Sequence, residues 1–416
     1  MERLDRNGKG VAVIWRRSGR DVAARIVLAA AAVAASAAPL RPCTIAVISG
    51  RITADGRPLL WKNRDVTNQN TVVRFFSGNA HAFLGLTDAG VTDKIFAGLN
   101  DAGLAVVNAV SSDLEGVGDS ENGVIIKRIL EECAAVDEVD ALLAATNAAG
   151  RRTQANFGVI DARGGGAIFE TGNRSYARFD VTASPDGFIV RTNFALSGAD
   201  PSRGEGFIRY ARASAILGPA APSRTIDVRF LFDRAARDLV NEDVDPYPLP
   251  FRGTQDGHSV GRIDTSTSIN RYRTSCAVVV QGADAAESPL LATMWCVLGE
   301  PVCGVALPLW VRAGSVPYEF CGSFTSPLRD AVKAREKRGY DDPSGERWLD
   351  TRLLADARGR GLAALIRGLE SFIFPSASAA LAKWRSAPPA AAAIRDFQNR
   401  LASWAYRRYV SGSILF

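Results

Sequence analysis

The stretch that decides the fold is "CTIAVISGRITADGRPLLWKNRD", residues 43–65. Two apolar runs flank a polar segment, and Asp55-Gly56 within that segment is a strong hairpin signal. The pattern predicts two antiparallel strands, the first starting at Cys43 and the second ending at Asp65. A cysteine, Cys43, thus stands at the head of the first predicted strand, with no other cysteine near it in the sequence.

Two further hairpins with Gly-containing turns are predicted over 94–112 and 156–172. Further strands are predicted over 187–194, 274–282 and the runs through 291–311. Apolar residues at helical spacing predict helices over 122–149 (two helices that break near Val136-Asp137), 205–217 and 225–239. Hairpins grouped between helices favour an α+β fold, in which antiparallel sheets are covered by helices.

The last ninety residues have a different character. Helices are predicted over 354–374 and 393–410, separated by the segment "PSASAALAKWRSAPPAAAA". The second helix carries a stripe of apolar side chains at three- and four-residue steps: Ile394, Phe397, Leu401 and Trp404. The stripe either packs on the core or forms a basic amphipathic surface for a membrane or partner. We therefore separate a main domain, 43–325, from a basic helical C-terminal extension, 326–416.

The N-terminus resembles a targeting segment. Arginines precede an apolar stretch at 26–40, which is shorter than the ~20 residues needed to span a bilayer. Ala35-Ser36-Ala37 fits a small-x-small cleavage pattern. We predict a signal peptide over 1–37, a short pro-segment over 38–42, and a protein that is exported, periplasmic or secreted, with no stable membrane span after signal removal. An uncleaved anchor or an Ala-rich tail is the alternative.

Charge and cysteine content exclude some classes of function. The net charge is +6, but residues 43–325 hold 26 basic and 32 acidic residues, which argues against a nucleic-acid partner. Six cysteines without a CxxC spacing, and only two histidines, argue against a structural zinc site. Cys296 and Cys303 flank a Gly-Glu-Pro turn, so they either lie opposite each other or remain buried free thiols.

Cys43 would need a base to act as a nucleophile, because a free thiol has a pKa of about 8.5. His81 and His258 both lie in polar, loop-like surroundings without an orienting partner. If Cys43 were the first residue, its own α-amino group, with a pKa of about 7.7–8.0, would serve as the base. This requires a cut after Pro42, which the thiol could make by attacking the Pro42 carbonyl. A buried structural thiol and a lipidated cysteine are the alternatives.

The run "CTIAVISG…DGRPLLWKNRDV" resembles the start of the N-terminal-nucleophile (Ntn) hydrolases of the choloylglycine hydrolase and penicillin V acylase type. It is more similar still to the acyl-coenzyme A:6-aminopenicillanic acid acyltransferase-like group. The resemblance implies a four-layer αββα sandwich with antiparallel sheets. It also implies a nucleophilic Cys43, with cleavage between Pro42 and Cys43.

The same resemblance assigns the other site residues. Asp65 takes the place of the aspartate that holds the α-amino group. Lys62 stands where the family has arginine, and Asn63 and Arg64 complete the motif as supporting residues. Three later segments, "GLNDAGLAVVNAV", "VRTNF" and "IRYARA", are similar to family segments. They imply an oxyanion-side residue, a side-chain donor to the oxyanion and an arginine that reaches the site: Asn108, Asn193 and Arg209.

The expected function is an exported amidohydrolase that cleaves a linear, non-peptide or non-standard amide through an acyl-cysteine intermediate. Its partner would be a small-molecule amide substrate, and the resemblance suggests a homo-oligomer. No metal or organic cofactor is implied. An N-acyltransferase of the same family is one alternative, and a non-catalytic exported binding or envelope protein on an Ntn scaffold is another. The sequence leaves the identity of the substrate open.

Overall fold

The computed structural model describes residues 42–243, 249–340 and 345–412. The predicted signal peptide, 1–37, and residues 38–41 of the pro-segment lie outside this part. The strands in chain order are β1 Cys43–Ile48, β2 Leu59–Asp65, β3 Thr71–Ser77, β4 Ala82–Asp88, β5 Ala97–Asn100, β6 Ala105–Val110, β7 Ala155–Ile160, β8 Gly166–Thr171, β9 Tyr176–Asp180, β10 Phe188–Arg191, β11 Arg262–Asp264, β12 Thr274–Gln281, β13 Thr293–Leu298, β14 Leu307–Leu309 and β15 Trp348–Asp350.

Two antiparallel sheets face each other in the described chain. One has six strands in the order β10-β1-β2-β12-β13-β14, and the other has seven strands, β3 to β9, in chain order. The hairpin predicted at 43–65 pairs Cys43 with Arg64 and Ile48 with Leu59. Its connection includes Gly56, whose φ of 80° is readily adopted by glycine. The hairpin prediction is therefore confirmed.

Helices cover the outer faces of both sheets. They are α1 Asn122–Glu132, α2 Val136–Asn147, α3 Phe207–Ala220, the short α4 Val228–Phe230 continued by a π-helical turn Leu231–Ala236, α5 Pro327–Gly339, α6 Leu362–Ser386 and α7 Ala391–Ser411. Apolar residues of α1 and α2 share a buried cluster with Phe83, Val106 and Phe157 of the seven-stranded sheet. A second cluster fills the space between the sheets and extends to α3, the segment 228–236 and the C-terminal helices. The prediction of antiparallel sheets covered by helices in an αββα sandwich is confirmed.

The C-terminal helices differ from the prediction at one point. A helix was predicted to end at 374, but α6 runs through Pro375 to Ser386. The segment after Pro375 is rich in alanine, a strong helix former, and buries Ala377 and Leu381. Tertiary packing and local propensity together outweigh the hydrogen bond that proline cannot donate.

The apolar stripe of α7 packs on the core. Ile394 and Leu401 are buried in the cluster between the layers, and Phe397 and Trp404 pack against it. In the described part of the chain, no helix is long and apolar enough to cross a bilayer. Cys296 and Cys303 are both buried and free, so the structure contains the free thiols rather than a disulfide.

Candidate active site

Cys43 is the first residue of β1, and its backbone is held by side chains. Its backbone nitrogen donates to Asn193 Oδ1 at 2.9 Å. Its carbonyl oxygen accepts from Arg209 Nη1 at 2.7 Å. The residue is 5% exposed. Three residues that the sequence places far apart therefore meet at this strand end: Cys43, Asn193 and Arg209.

Arg209, in α3, bonds both the start of β1 and the Asn193 side chain. Its guanidinium also donates to Thr44 Oγ1 at 3.0 Å and to Asn193 Oδ1 at 2.8 Å. The Asn193 carboxamide oxygen thus accepts from both Cys43 and Arg209. Its nitrogen, Nδ2, donates to the Val110 carbonyl at 2.8 Å. In this chain, with Pro42 still attached, the Asn193 amide group holds Cys43 in place and its nitrogen is engaged elsewhere.

Lys62 and Arg64 lie on the side of β2 that faces the other sheet, as does the thiol of Cys43, since alternate residues of a strand share a face. Lys62 Nζ donates to Asn108 Oδ1 at 2.7 Å and to the Phe96 carbonyl at 2.9 Å. Arg64 donates to Asp88 Oδ1 at 2.9 Å. Two buried cations therefore flank the thiol, and Asn108 is placed to bind one of them.

Burial lowers the pKa of Lys62 to about 8, and the nearby Cys43 thiol opposes this shift. Arg64 lowers the pKa further, whereas Cys276 and Asp65 raise it. Burial raises the pKa of the Cys276 thiol to about 11, so this neighbouring cysteine stays protonated and unreactive near neutral pH.

Asp65 lies on the opposite face of β2 and is fully buried. Its Oδ1 accepts from Thr274 Oγ1 at 2.7 Å, while Oδ2 has no hydrogen-bond partner among the described residues. Burial raises the pKa of Asp65, and Arg271 and Arg209 oppose that shift. Because Cys43 pairs with Arg64, the same register extended by one residue places Asp65 opposite Pro42. Asp65 therefore occupies the strand position next to the one that pairs with Cys43, and one of its carboxylate oxygens has no partner among the described residues.

Asn63 and the two histidines do not join this cluster. Asn63 accepts from Trp61 Nε1 at 3.0 Å and donates to the Ala236 carbonyl at 2.9 Å, so it links β2 to the helical layer. His81 bonds Asp101 at 2.8 Å, so the expectation that it has no orienting partner is wrong. The His258 ring stacks on Trp348 with centroids 3.6 Å apart.

Arg271 is a positive charge near the site that the sequence did not reveal. It is the largest charge influence on Asp65 after burial, and it also acts on Arg209. It precedes β12, whose Thr274 bonds Asp65. An arginine in a polar loop gives no local signal of such a role. Within the described residues, no group of three or more His, Cys, Asp or Glu is placed to hold a metal ion.

The fold and this site agree with the resemblance seen in the sequence. Two facing antiparallel sheets lie between helical layers, and the backbone nitrogen of the cysteine at the head of β1 donates to a side chain. This is the arrangement that the resemblance to the Ntn hydrolases implies.

Residues 52–209 match the family model of acyl-coenzyme A:6-aminopenicillanic acid acyl-transferase. The match spans less than half of the chain. It includes the motif at 62–65 as well as Asn108, Asn193 and Arg209, and begins after Cys43. No curated protein matches the chain significantly.

Solved structures resemble the chain at low identity. A mutant of the conjugated bile acid hydrolase from Clostridium perfringens is 13% identical, covering 62% of this chain and 89% of its own, with a TM-score of 0.37. The Caenorhabditis elegans ortholog of N-acylethanolamine-hydrolyzing acid amidase is 15% identical (59% and 93% covered, TM-score 0.39). Penicillin V acylase from Agrobacterium tumefaciens is 13% identical (64% and 86% covered, TM-score 0.38). Similarities this low carry no substrate over to this chain.

Replacing Lys62 by Arg is expected to extend activity to higher pH. Lys62 is charged below its pKa of about 8 and loses that charge as the pH rises through it. Its charge favours the thiolate, so wild-type activity should decline on this alkaline limb. Arginine stays protonated, and the limb should move upward by a pH unit or more. Activity profiles between pH 6 and 10 measure the shift. Lys127→Arg, at an ion pair on α1, is the control, and coincident limbs for wild type and Lys62→Arg would contradict the prediction.

Proposed function

We propose that the chain is an exported cysteine amidohydrolase of the Ntn type. Cleavage after Pro42 makes Cys43 the first residue, and Cys43 then cleaves a linear, non-peptide or non-standard amide through an acyl-cysteine intermediate. The substrate is a small molecule, and the working protein is a homo-oligomer. Export, with a signal peptide over 1–37, belongs to the same proposal.

One observation carries the proposal: the side chains of Asn193 and Arg209 bond the backbone nitrogen and the carbonyl oxygen of Cys43. Asn193 Oδ1 already accepts a hydrogen bond from this nitrogen. Asp65 adds a buried carboxylate oxygen without a partner among the described residues, on the neighbouring strand. A structural cysteine in a strand has no need of these groups. An α-ammonium at position 43 would use both, because it carries a positive charge and additional N–H donors.

The cut after Pro42 can be written with the atoms of this site. The Cys43 thiol loses its proton and Sγ attacks the Pro42 carbonyl carbon. The Pro42–Cys43 C–N bond breaks, the nitrogen takes up a proton, and a Pro42 thioester forms on Sγ. Water then hydrolyses the thioester, which leaves a free carboxylate on Pro42 and a free thiol and amine on Cys43.

Turnover repeats this chemistry on an external amide. The α-amine takes the thiol proton, Sγ attacks the substrate carbonyl, and the ammonium returns the proton to the departing nitrogen. Water then attacks the acyl-cysteine and releases a carboxylic acid. Asn193 Nδ2 would exchange its bond to Val110 for the developing oxyanion, and the Asn108 backbone amide is the second proposed donor.

The amino terminus of the mature protein is the first test. We expect intact mass and terminal sequencing of the exported protein to give a chain that starts at Cys43. A chain that starts at Ala38 and stays there would have no α-amino base at the thiol. That result would overturn the proposed mechanism and favour the binding-protein alternative.

The family match favours one second activity, transfer of the acyl group to an amine. A thioester reacts with water or with an amine, so the same acyl-cysteine serves both reactions. Product analysis with an added amine nucleophile separates them. An acyltransferase forms the new amide at the expense of the acid, whereas a hydrolase gives the acid at every amine concentration.

A further inference from the structure

Asn156, in β7, lies against the segment that carries Asn193. It is fully buried, and its Nδ2 donates to the Thr192 carbonyl at 3.0 Å and to the Phe194 carbonyl at 2.9 Å. One amide group thus holds the backbone on both sides of Asn193. No local sequence signal points to this contact, because Asn156 lies within an ordinary apolar strand.

The residues that follow Asn193 are held by buried carboxylates. Asp113 Oδ2 accepts from the Ala195 backbone nitrogen at 2.8 Å. Glu170, in β8, accepts from the backbone nitrogens of Leu196 at 2.9 Å and Ser197 at 2.7 Å. These carboxylates bind the N–H groups of the segment 195–197. The carbonyl groups that flank Asn193 depend on Asn156.

We propose that Asn156 is a positioning residue of the active site, which acts through Asn193. By fixing the carbonyls of Thr192 and Phe194, it sets the orientation of the Asn193 backbone. It thereby keeps the Asn193 carboxamide within hydrogen-bonding distance of the Cys43 nitrogen and of Arg209. Asn156 itself has no contact with Cys43, so it takes no part in bond making or breaking. Its effect on reactivity rests on the proposed function.

The remaining polar atom of Asn156 supports this role. Its Oδ1 is buried and has no hydrogen-bond partner among the described residues. A buried, unpaired carbonyl is unfavourable, and an apolar residue of similar size would avoid that cost. Nδ2 also lies 3.4 Å from Ser111 Oγ, but its two shorter bonds both end on the residues that flank Asn193. Those two bonds are therefore the main contribution that asparagine makes here.

Asn100 provides a matched control, because it performs the same chemistry elsewhere. Its Nδ2 donates to the carbonyls of Leu130 at 3.0 Å and Cys133 at 2.7 Å, and it is 1% exposed. These carbonyls belong to the end of α1 and the residue after it, on the outer side of the seven-stranded sheet. Asn100→Leu and Asn156→Leu each remove a buried amide that bridges two carbonyls, and both variants should unfold at a lower temperature than wild type.

The test compares the alkylation of Cys43 by iodoacetamide in wild type, Asn156→Leu and Asn100→Leu, followed by peptide mass analysis from pH 6 to 9. We expect Asn156→Leu to slow Cys43 alkylation at least tenfold, and Asn100→Leu to leave it within twofold of wild type. Equal rates for Asn156→Leu and wild type, or equal slowing in both variants, would overturn the proposal. Asn156→Ser, which leaves a smaller polar side chain, replaces Asn156→Leu if the latter does not fold.

A double-mutant cycle with Asn193→Ala separates positioning from general destabilisation. If Asn156 acts through Asn193, Asn156→Leu has little further effect on alkylation once Asn193 is Ala. If the two effects multiply, Asn156 acts independently and the inference fails. Failure of the proposed function gives a different result: Cys43 of the wild type would then react no faster than the other five cysteines.

Discussion

Replacing Cys43 by Ala should abolish both turnover and the cut between Pro42 and Cys43. In the proposed mechanism the thiol is the nucleophile of both reactions, so no other group in the site would replace it. Loss of a nucleophile lowers kcat by about 10⁴-fold or more. Terminal sequencing of the exported variant should find residues of the pro-segment still attached. Amidase assays on a substrate accepted by the wild type measure the loss.

Cys296→Ala is the control for this prediction. Cys296 is a free, buried thiol in β13 of the same sheet, and burial raises its pKa. We expect this variant to be processed and to remain active, with a lower unfolding temperature as its only change. Turnover that persists in Cys43→Ala would remove Cys43 from the mechanism.

Replacing Asp65 by Asn should lower both processing and turnover by about 10²-fold. The change keeps the shape of the side chain and an oxygen for the Thr274 hydroxyl. It removes the charge that would stabilise the α-ammonium of Cys43 during turnover and the protonated nitrogen that the cut releases. A hydrogen bond between charged groups contributes about 1.5–3 kcal/mol, and each 1.4 kcal/mol is a factor of ten in rate. Steady-state kinetics of the processed protein measure this loss in kcat.

The unfolding temperature of Asp65→Asn distinguishes a role in stabilising the α-ammonium from a role in holding the fold together. Burial raises the pKa of Asp65. Ionised Asp65 therefore destabilises the fold once the pH rises above the pKa of an ordinary aspartate. Asn carries no such charge, so Asp65→Asn should unfold at the same temperature as wild type, or higher. Asp161→Asn is the control: Asp161 bonds the backbone nitrogens of Val136 and Gly165, and its loss should reduce stability while kcat is maintained. A less stable, fully active Asp65→Asn would contradict the assignment.

Much of the fold could be predicted because its signals are local. The hairpin at 43–65 and the helix pair that breaks before Val136 depend on turn residues and on apolar periodicity. Other elements lack such signals. Strands β3 and β4, at Thr71–Ser77 and Ala82–Asp88, were not predicted. The second has a glycine at its centre and weak alternation, and it is held as a strand by pairing with both of its neighbours.

The sequence by itself determined the hairpin, the cysteine at its head and the order of the motif residues that follow. Tertiary structure alone decided which of those residues meet. Asn193 reaches Cys43 across 150 positions of sequence, and Asn108 reaches Lys62 only because the two sheets stack face to face. Arg271 and Asn156 carry no local pattern at all. Hydrogen bonds between layers depend on how the sheets pair and pack, and spacing along one strand or helix does not encode that arrangement.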